Sequence, residues 1–220
     1  MYVVVNAAMS ADGKLSTRRR EQVTISGPDD FDRVDRVRTA ADAVMVGIGT
    51  VLADDPHLTI DVADRRVQRK RHGRPANPAR VVADSQARTP PDARILDDAA
   101  TTYLLVAESA PRDRKRALAD RGAELIVAGS ERVELADAVD QLSERGIARL
   151  MIEGGGELIF SAFADGLVDE LTVYVGSLVI GGRDAPTLAD GDGFVDGVSL
   201  TLTDVDRLDD GVLLRYDVAE

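Results

Sequence analysis

The stretch Leu150-Met151-Ile152-Glu153-Gly154-Gly155-Gly156-Glu157-Leu158 predicts a β-strand, a glycine turn and the first turn of a helix, in that order. Because glycine has no Cβ, backbone N–H groups in such a turn approach a pyrophosphate closely, and the helix N-terminus adds donors and a favourable dipole. The spacing is not the GxGxxG fingerprint of a Rossmann turn. These residues alone are equally compatible with a phosphate-binding turn and with a tight turn that binds nothing.

Strands and helices alternate on both sides of this stretch, which indicates an α/β fold with a mostly parallel central sheet. The strand-rich end of the chain predicts an antiparallel C-terminal hairpin. The basic residues 61–79 predict an exposed loop, and Ser26–Asp30 predict a helix start with a serine cap and a proline in the first turn. Further helices are predicted over 111–121 and 134–145, and strands over 3–9, 43–48, 80–83, 102–106, 124–127, 149–152, 171–175, 178–180, 200–205 and 213–218.

The composition excludes several classes of protein. The chain has 220 residues, which favours one domain, and no cysteine, which excludes disulfides, zinc-thiolate sites and a cysteine nucleophile. With only two histidines we predict no metal site. The net charge of −12 argues against nucleic-acid binding, and no apolar run is long enough to cross a bilayer.

The N-terminal apolar run, Tyr2–Val5, has no basic region before it, so we expect a strand and not a signal peptide, and a soluble cytoplasmic protein. The acidic excess with only three lysines favours a halophilic source with a high-salt cytoplasm, where salt screens self-repulsion. An acidic proteome in an organism with GC-rich DNA is the alternative.

Polar loops follow several of the predicted strands, where open α/β sheets bind ligands. Met45–Leu52 leads from a strand into a short glycine-containing helix, and Asp54-Asp55-Pro56 ends it. Asp84–Arg88 offers a serine and an arginine that suit a phosphate monoester. Ser10–Lys14 is a turn with a lysine available for an anion. Each motif alone is also typical of an ordinary turn.

Taken in order, these motifs resemble the reductase of riboflavin biosynthesis, in the single-domain form found in archaea and fungi. The resemblance covers almost the whole chain and implies a dihydrofolate-reductase-like fold with helices on both faces of the sheet. We expect no deaminase half like that of the bifunctional bacterial enzymes, because a chain without cysteine cannot form its zinc site. The motifs that carry the resemblance are Asn6–Lys14, Met45–Pro56, Val82–Ser85, Glu153–Gly156, Gly166–Leu171 and Gly181–Thr187.

The resemblance implies NADPH as cofactor and 2,5-diamino-6-ribosylamino-4(3H)-pyrimidinone 5′-phosphate as substrate. Ser85 matches the position that holds the adenosine 2′-phosphate, with Arg88 as its partner. Glu153 lies beside the reacting ribose. The implied cofactor contacts are Thr50, Asp54, Ser85, Arg88, Gly154, Gly155, Gly156 and Glu157, and the substrate contacts are Asn6, Lys14, Arg38, Leu58 and Glu153.

Two positions depart from the family pattern. Bacterial bifunctional enzymes have a lysine where Asn6 stands, and a family arginine aligns near Asp61. The substrate phosphate is therefore assigned to Arg38, Lys14 or a residue of the basic segment 61–79.

The implied reaction is hydride transfer to C1′ of the ring-opened imine. Glu153 either stabilises the iminium or fixes a ribose hydroxyl, whereas Asp12 suits a turn-capping role better than a catalytic one. Solvent is the alternative proton donor. A dihydrofolate or pterin reductase, and a non-catalytic nucleotide-binding domain, are the competing interpretations. The family also implies a homodimer, for which the strand-rich end offers apolar side chains, namely Leu171, Val173, Val175, Leu178 and Ile180.

Overall fold

The computed structural model describes residues 1–21 and 23–219. Their contacts form two compact units. The first unit contains Met1 and Asp35–Met151, and the second contains Tyr2–Val34 and Ile152–Glu220. The expectation of one domain stays a prediction.

The elements in chain order are β1 (Tyr2–Ser10), α1 (Pro28–Ala40), β2 (Ala43–Gly47), α2 (Ile48–Asp54), α3 (Ala63–Arg71), β3 (Ala79–Ala83), a 3-10 turn (Arg94–Leu96), β4 (Thr102–Val106), α4 (Arg112–Ala119), β5 (Glu124–Val127), α5 (Leu135–Glu144), β6 (Arg149–Ile152), α6 (Gly156–Ala164), β7 (Glu170–Gly176), β8 (Leu200–Leu208) and β9 (Gly211–Val218).

The first unit carries the strand order β5-β4-β3-β2-β6. The β2–β3, β3–β4 and β4–β5 pairs are parallel. Side chains on both faces of these strands are buried, as Val44, Met45 and Val46 show with at most 1 % exposure. This burial explains why the strands are continuous apolar runs in the sequence.

The second unit carries the strand order β1-β7-β9-β8. The β1–β7 pair is parallel, whereas β9 pairs antiparallel with both β7 and β8. The predicted α/β fold, with a mostly parallel sheet and antiparallel C-terminal strands, is confirmed. The segment 178–180 is not a strand, although it was predicted as one, because the N–H of Leu178 bonds the carbonyl of Gly176 and that of Ile180 bonds the carboxylate of Asp12.

Helix α1 begins at Pro28, as predicted, but its cap comes from far along the chain. The carboxylate of Asp209 accepts hydrogen bonds from the N–H groups of Asp29 (3.2 Å) and Asp30 (3.0 Å). Gly27 permits this approach, because a Cβ at that position would lie 2.5 Å from Cγ of Asp209. The predicted serine cap was therefore wrong.

The loop predicted over 61–79 is wrong for residues 63–71, which form helix α3, although most of the segment is exposed as predicted. The carboxylate of Asp35 accepts from the N–H of Asp61 at 2.5 Å and pairs with Arg65 at 2.7 Å. Arg69 is buried and donates to the carbonyls of Thr39 and Ala41, each at 2.7 Å. Burial lowers the pKa of Arg69 to about 10. The basic side chains thus tie this helix to the rest of its unit.

Helices α4 and α5 lie where they were predicted, with Leu135, Ala138, Val139 and Leu142 on the buried face of α5. Within residues 1–21 and 23–219, none of the helices has the length and apolar character needed to cross a membrane.

Candidate active site

In the first unit, polar turns follow the parallel strands β2 and β3. Since neighbouring parallel strands end at the same edge of a sheet, the start of helix α2 after Gly47 and the turn at Asp84–Thr89 share one edge. Four of the residues predicted to hold the cofactor belong to these two segments, namely Thr50 and Asp54 of α2 and Ser85 and Arg88 of the turn.

The turn after β3 is organised by the buried carboxylate of Asp84. Its Oδ2 accepts from the N–H of Thr89 (2.7 Å) and from the Thr89 hydroxyl (2.8 Å). Nε of Arg88 lies 3.8 Å from Oδ1 of Asp84, and this oxygen accepts no hydrogen bond within the described part of the chain. Asp84 therefore fixes the turn and keeps the half-exposed guanidinium of Arg88 beside it.

Ser85 lies half-buried in the same turn. Its Oγ accepts a hydrogen bond from the N–H of Val133 at 3.0 Å. A hydroxyl donates as well as accepts. The contact with Val133 uses a lone pair of Oγ and leaves the proton free. The Ser85 hydroxyl can therefore still donate to an anionic ligand.

A cavity of about 430 Å³ lies beside Arg88. Its walls are mainly apolar and its size is within the range of small-molecule pockets. The lining residues include Leu52, Pro90, Pro91, Leu118 and a second arginine, Arg114.

Thr50 and Asp54 are one helical turn apart on α2, so they lie on one face of this helix. Leu52 lies on another face and lines the cavity. Both Thr50 and Asp54 are half-buried, which suits side chains that contact a ligand.

Leu58 and Arg38 both lie next to Thr59 in the first unit. Leu58 has a positive φ of 50°, which is uncommon for a residue with a side chain, and it is only 4 % exposed. Arg38 donates from Nη1 to the carbonyl of Thr59 at 3.0 Å. A ligand contact of Leu58 would therefore use its backbone, and Arg38 already holds the neighbouring residue.

In the second unit, the glycine turn after β6 has the predicted strand–turn–helix form. Gly154 and Gly155 have φ values of 144° and 89°, which favour glycine. A Cβ on Gly154 would meet no atom within 4 Å, whereas one on Gly156 would lie 2.3 Å from the carbonyl oxygen of Thr187. The space beside Gly154 is thus open to a ligand.

Helix α6 starts at this turn, and no side chain caps it. Its first N–H groups therefore have no partner from the capping residue. The carboxylate of Glu157 is 69 % exposed and lies 3.7 Å from Arg20. Because this carboxylate is negatively charged, a contact of Glu157 with an anion would come from its backbone N–H. Glu153 is half-buried and comes between the end of β6 and the first of the glycines.

Asn6 lies in β1 next to Thr172 of β7 and is only 6 % exposed. Its Oδ1 accepts a hydrogen bond from Nη2 of Arg33 at 2.7 Å. Arg33 in turn contacts Oδ1 of Asp30 from Nε (2.8 Å) and Nη2 (2.7 Å). Sequence reasoning missed Arg33 and Asp30, although an asparagine within an apolar strand requires a polar partner.

The turn Ser10–Lys14 is held by Asp12, as expected of a capping residue. The carboxylate accepts from the Ser10 hydroxyl (2.6 Å) and from the N–H groups of Ile180 (3.0 Å) and Gly181 (2.7 Å). These bonds, that of Ser10 first, lower the pKa of Asp12 to about 2. Lys14 donates from Nζ to the carbonyl of Ala185 at 3.3 Å.

The model of the RibD C-terminal domain family matches residues 1–214. The chain belongs to this family. The resemblance indicated by the ordered motifs is thereby confirmed.

Two archaeal relatives match the chain over most of its length. A protein of Archaeoglobus fulgidus is 50% identical over 88% of this chain and 88% of its own. One of Methanothermobacter thermautotrophicus is 45% identical over 99% of this chain and 98% of its own. Both relatives are named 2,5-diamino-6-ribosylamino-4(3H)-pyrimidinone 5′-phosphate reductase.

Among solved structures, a pyrimidine reductase-like protein of Corynebacterium diphtheriae superimposes with a TM-score of 0.86. It is 23% identical, and the match covers 100% of this chain and 92% of that protein. At this identity the likeness supports the fold of the RibD C-terminal domain family and nothing further.

Proposed function

We propose that the protein reduces the ribosylamino group of 2,5-diamino-6-ribosylamino-4(3H)-pyrimidinone 5′-phosphate to the ribitylamino group, with NADPH as the reductant. The observation that carries the proposal is the 50% identity with a relative of that name over 88% of both chains. The glycine turn adds backbone N–H groups, and the Asp84 turn adds Ser85 and Arg88. These groups suit the phosphates of the cofactor.

Each unit, taken by itself, contains described residues that suit a phosphate group. In the second unit, the proposal assigns the pyrophosphate to the backbone of Gly154, Gly155, Gly156 and Glu157, at the uncapped start of α6. In the first unit, it assigns the 2′-phosphate to Ser85 and Arg88, and further contacts to Thr50 and Asp54. When bound, NADPH supplies the hydride.

The substrate contacts proposed are Asn6, Lys14, Arg38, the backbone of Leu58, and Glu153. Opening of the ribosylamine gives an imine, and C1′ of this imine accepts the hydride. The protein has to orient the imine and exclude water. The imine takes a proton from solvent to become an iminium, which the negative charge of the Glu153 carboxylate favours, and hydride addition at C1′ then gives the amine.

Replacing Glu153 by glutamine tests this role. The substitution keeps the shape and removes the charge, so we expect kcat to fall about 100-fold while the Kd for NADPH changes less than about twofold. Glu157→Gln is the matched control and should leave kcat unchanged, because only its backbone is assigned a role. An unchanged kcat in Glu153→Gln would remove the catalytic assignment.

Substrate identity is tested by NADPH oxidation with two acceptors. The proposal expects turnover with the ribosylaminopyrimidinone phosphate and none with dihydrofolate. Turnover with dihydrofolate alone would make the protein a dihydrofolate reductase, and NADPH binding without turnover of either acceptor would make it a nucleotide-binding domain.

We further propose a homodimer formed through one face of the β8–β9 hairpin. Directly paired residues lie on the same face of an antiparallel sheet. Leu200 pairs with Val218, Leu202 with Tyr216, and Val205 with Leu214. A bulge between Leu202 and Asp204 keeps Leu202 and Val205 on this face, where they are 52 % and 54 % exposed.

The opposite face of the hairpin carries an ion-pair cluster, in which Arg215 contacts both Asp204 and Asp206. An exposed apolar face beside a charged one is typical of an interaction surface. Leu171 and Val173 were expected to contribute, but they are only 3 % and 2 % exposed. The apolar surface for a partner therefore comes from β8 and β9.

Light scattering of a double variant, Leu202→Glu with Val205→Glu, tests the dimer. We expect a monomer, because two charges on each copy would have to be buried without partners. Thr201→Glu places a charge on the opposite face and should leave the dimer intact. A dimer that persists in the double variant would place the interface elsewhere.

A further inference from the structure

Asn6 is a polar residue buried within β1, where most of the buried side chains are apolar and Ser10 is the other buried polar one. It is 6 % exposed, and its one hydrogen bond in the described residues is that of Oδ1 with Arg33. Its neighbours on β1, Val5 and Ala7, are 0 % and 5 % exposed. A buried amide uses its donors as well as its acceptor, so the NH₂ group of Asn6 requires a partner.

The orientation of this amide is determined by chemistry. A guanidinium has five donors and no acceptor, so the atom that faces Arg33 at 2.7 Å has to be the oxygen of Asn6. The NH₂ group therefore points away from Arg33. In the described residues, two buried side-chain atoms are sealed from solvent and have no hydrogen bond, namely Arg80 Nε and Asp84 Oδ1. The NH₂ group of Asn6 is not one of them. The NH₂ group therefore keeps some contact with solvent, and a ligand would approach it from that side.

Arg33 is itself held in place by two aspartates. Asp30 is 2 % exposed and accepts from Nε and Nη2 of Arg33. Asp209 bonds the N–H groups at the start of α1 and so fixes the helix turn that carries Asp30 and Arg33. The arginine side chain, 12 % exposed, is largely enclosed. The connection from Asp209 to Asn6 leaves the amide one stable orientation.

From this network we infer that Arg33 and Asp30 are positioning residues, which hold the Asn6 amide so that its NH₂ group donates to an uncharged oxygen of the substrate. Arg33 and Asp30 neutralise each other, and Asn6 carries no charge. The cluster therefore offers directed donation without the positive charge that a phosphate group attracts. The inference rests on the proposed function, since it concerns recognition of that substrate.

A carbonyl of the pyrimidinone and a hydroxyl of the sugar are the uncharged oxygens available. Binding of the reaction product and of ribitol 5-phosphate, measured by calorimetry, distinguishes them. Asn6→Asp keeps an oxygen toward Arg33 but removes the donor, so we expect the Kd for the product to rise about tenfold. A matching loss with ribitol 5-phosphate assigns the bond to a sugar hydroxyl, and unchanged binding of that compound assigns it to the pyrimidinone carbonyl.

A double-mutant cycle tests the positioning role. Asp30→Asn with Arg33→Met replaces the ion pair by neutral groups of similar shape, and should raise the product Kd about fivefold in the wild-type background. In an Asn6→Ala background the same pair of changes should raise the product Kd less than twofold, because the amide that Asp30 and Arg33 orient is gone. Arg33→Lys still donates to Asn6 and should recover most of the binding.

Equal losses in both backgrounds would overturn the positioning role, and so would unchanged product binding in Asn6→Asp. Thermal unfolding of each variant shows that it is folded at the temperature of measurement, and Asn6→Ser replaces Asn6→Ala if the latter does not fold. Wild-type turnover is measured in the same series. If the wild type neither turns over the substrate nor binds the product, the proposed function is refuted. If the wild type is active but the losses in the double-mutant cycle are additive, the positioning role alone is refuted.

Discussion

The turn after β3 and the turn after β6 are both candidates for phosphate binding, but they are built differently. The first is held by side chains, since Asp84 bonds Thr89 and lies beside Arg88. The second consists of backbone, with positive φ at Gly154 and Gly155 and no side-chain cap on α6. A turn made by side chains can be tuned by single substitutions, whereas a turn made by backbone is damaged by any added Cβ.

The backbone turn provides the largest expected effect. Gly154→Ala puts a methyl group into the open space beside the start of α6, where a phosphate would approach. We expect the Kd for NADPH to rise by about 100-fold, because lost backbone contacts to a charged group are worth about 1.5–3 kcal/mol each. Fluorescence titration with NADPH measures this change.

Gly122→Ala is the matched control for that variant. Gly122 also has a positive φ, of 89°, and a methyl group added there would likewise meet open space, but it lies in the turn before β5. Both substitutions should lower the free energy of unfolding by about 1–3 kcal/mol through backbone strain. Equal NADPH affinity in the two variants would show that the glycine turn binds no phosphate.

The side-chain turn predicts a change in cofactor preference. Arg88→Ala should reduce the ratio of kcat/KM for NADPH over NADH about tenfold, because one charge-assisted hydrogen bond to the 2′-phosphate is lost. Asp84→Asn should reduce it less, since the arginine stays but its neighbour changes. Arg116→Ala removes an exposed arginine that pairs with Asp120, and should leave the ratio as it is. An unaltered ratio in Arg88→Ala would place the 2′-phosphate site elsewhere.

A third turn, Ser10–Lys14, extends the side-chain type and gives the smallest effect. The pKa of Asp12 is lowered from 3.8 to about 2. Because the folded value lies below the unfolded one, the carboxylate stabilises the fold above pH 4, and this contribution is lost as the pH falls toward 2. The free energy of unfolding of Asp12→Asn should therefore depend less on pH between pH 4 and pH 2 than that of the wild type. Acid titrations followed by circular dichroism measure this dependence. The same slope in both proteins would contradict the role.

The parts of the fold predicted from sequence are those set by local pattern. The apolar runs of the buried strands, the stripe Leu135, Ala138, Val139 and Leu142 of α5, and the glycine run before α6 each determine their own structure. Helix α3 was predicted as a loop because its residues are nearly all charged. Its stability comes from Asp35 and from carbonyls near Thr39, which only the folded chain brings to it.

The candidate site shows the same limit. Thr50, Ser85 and the glycines follow strand ends, so their placement could be predicted from the chain order. Asp30 and Arg33 are spaced as an ordinary surface pair on a helix, and nothing local indicates that both are buried against Asn6. The cap of α1 by Asp209 is likewise invisible in the sequence, because 180 residues separate Asp29 from Asp209.

The proposed function depends on hydride transfer from NADPH to C1′ of the ribosylaminopyrimidinone phosphate. The most direct test uses NADPH that carries deuterium at the transferring position, and mass spectrometry with NMR of the product. We expect one deuterium in the ribitylamino product, bound to C1′, with one NADPH oxidised for each product formed. A product without deuterium at C1′, or NADPH that binds and is not oxidised, would contradict it.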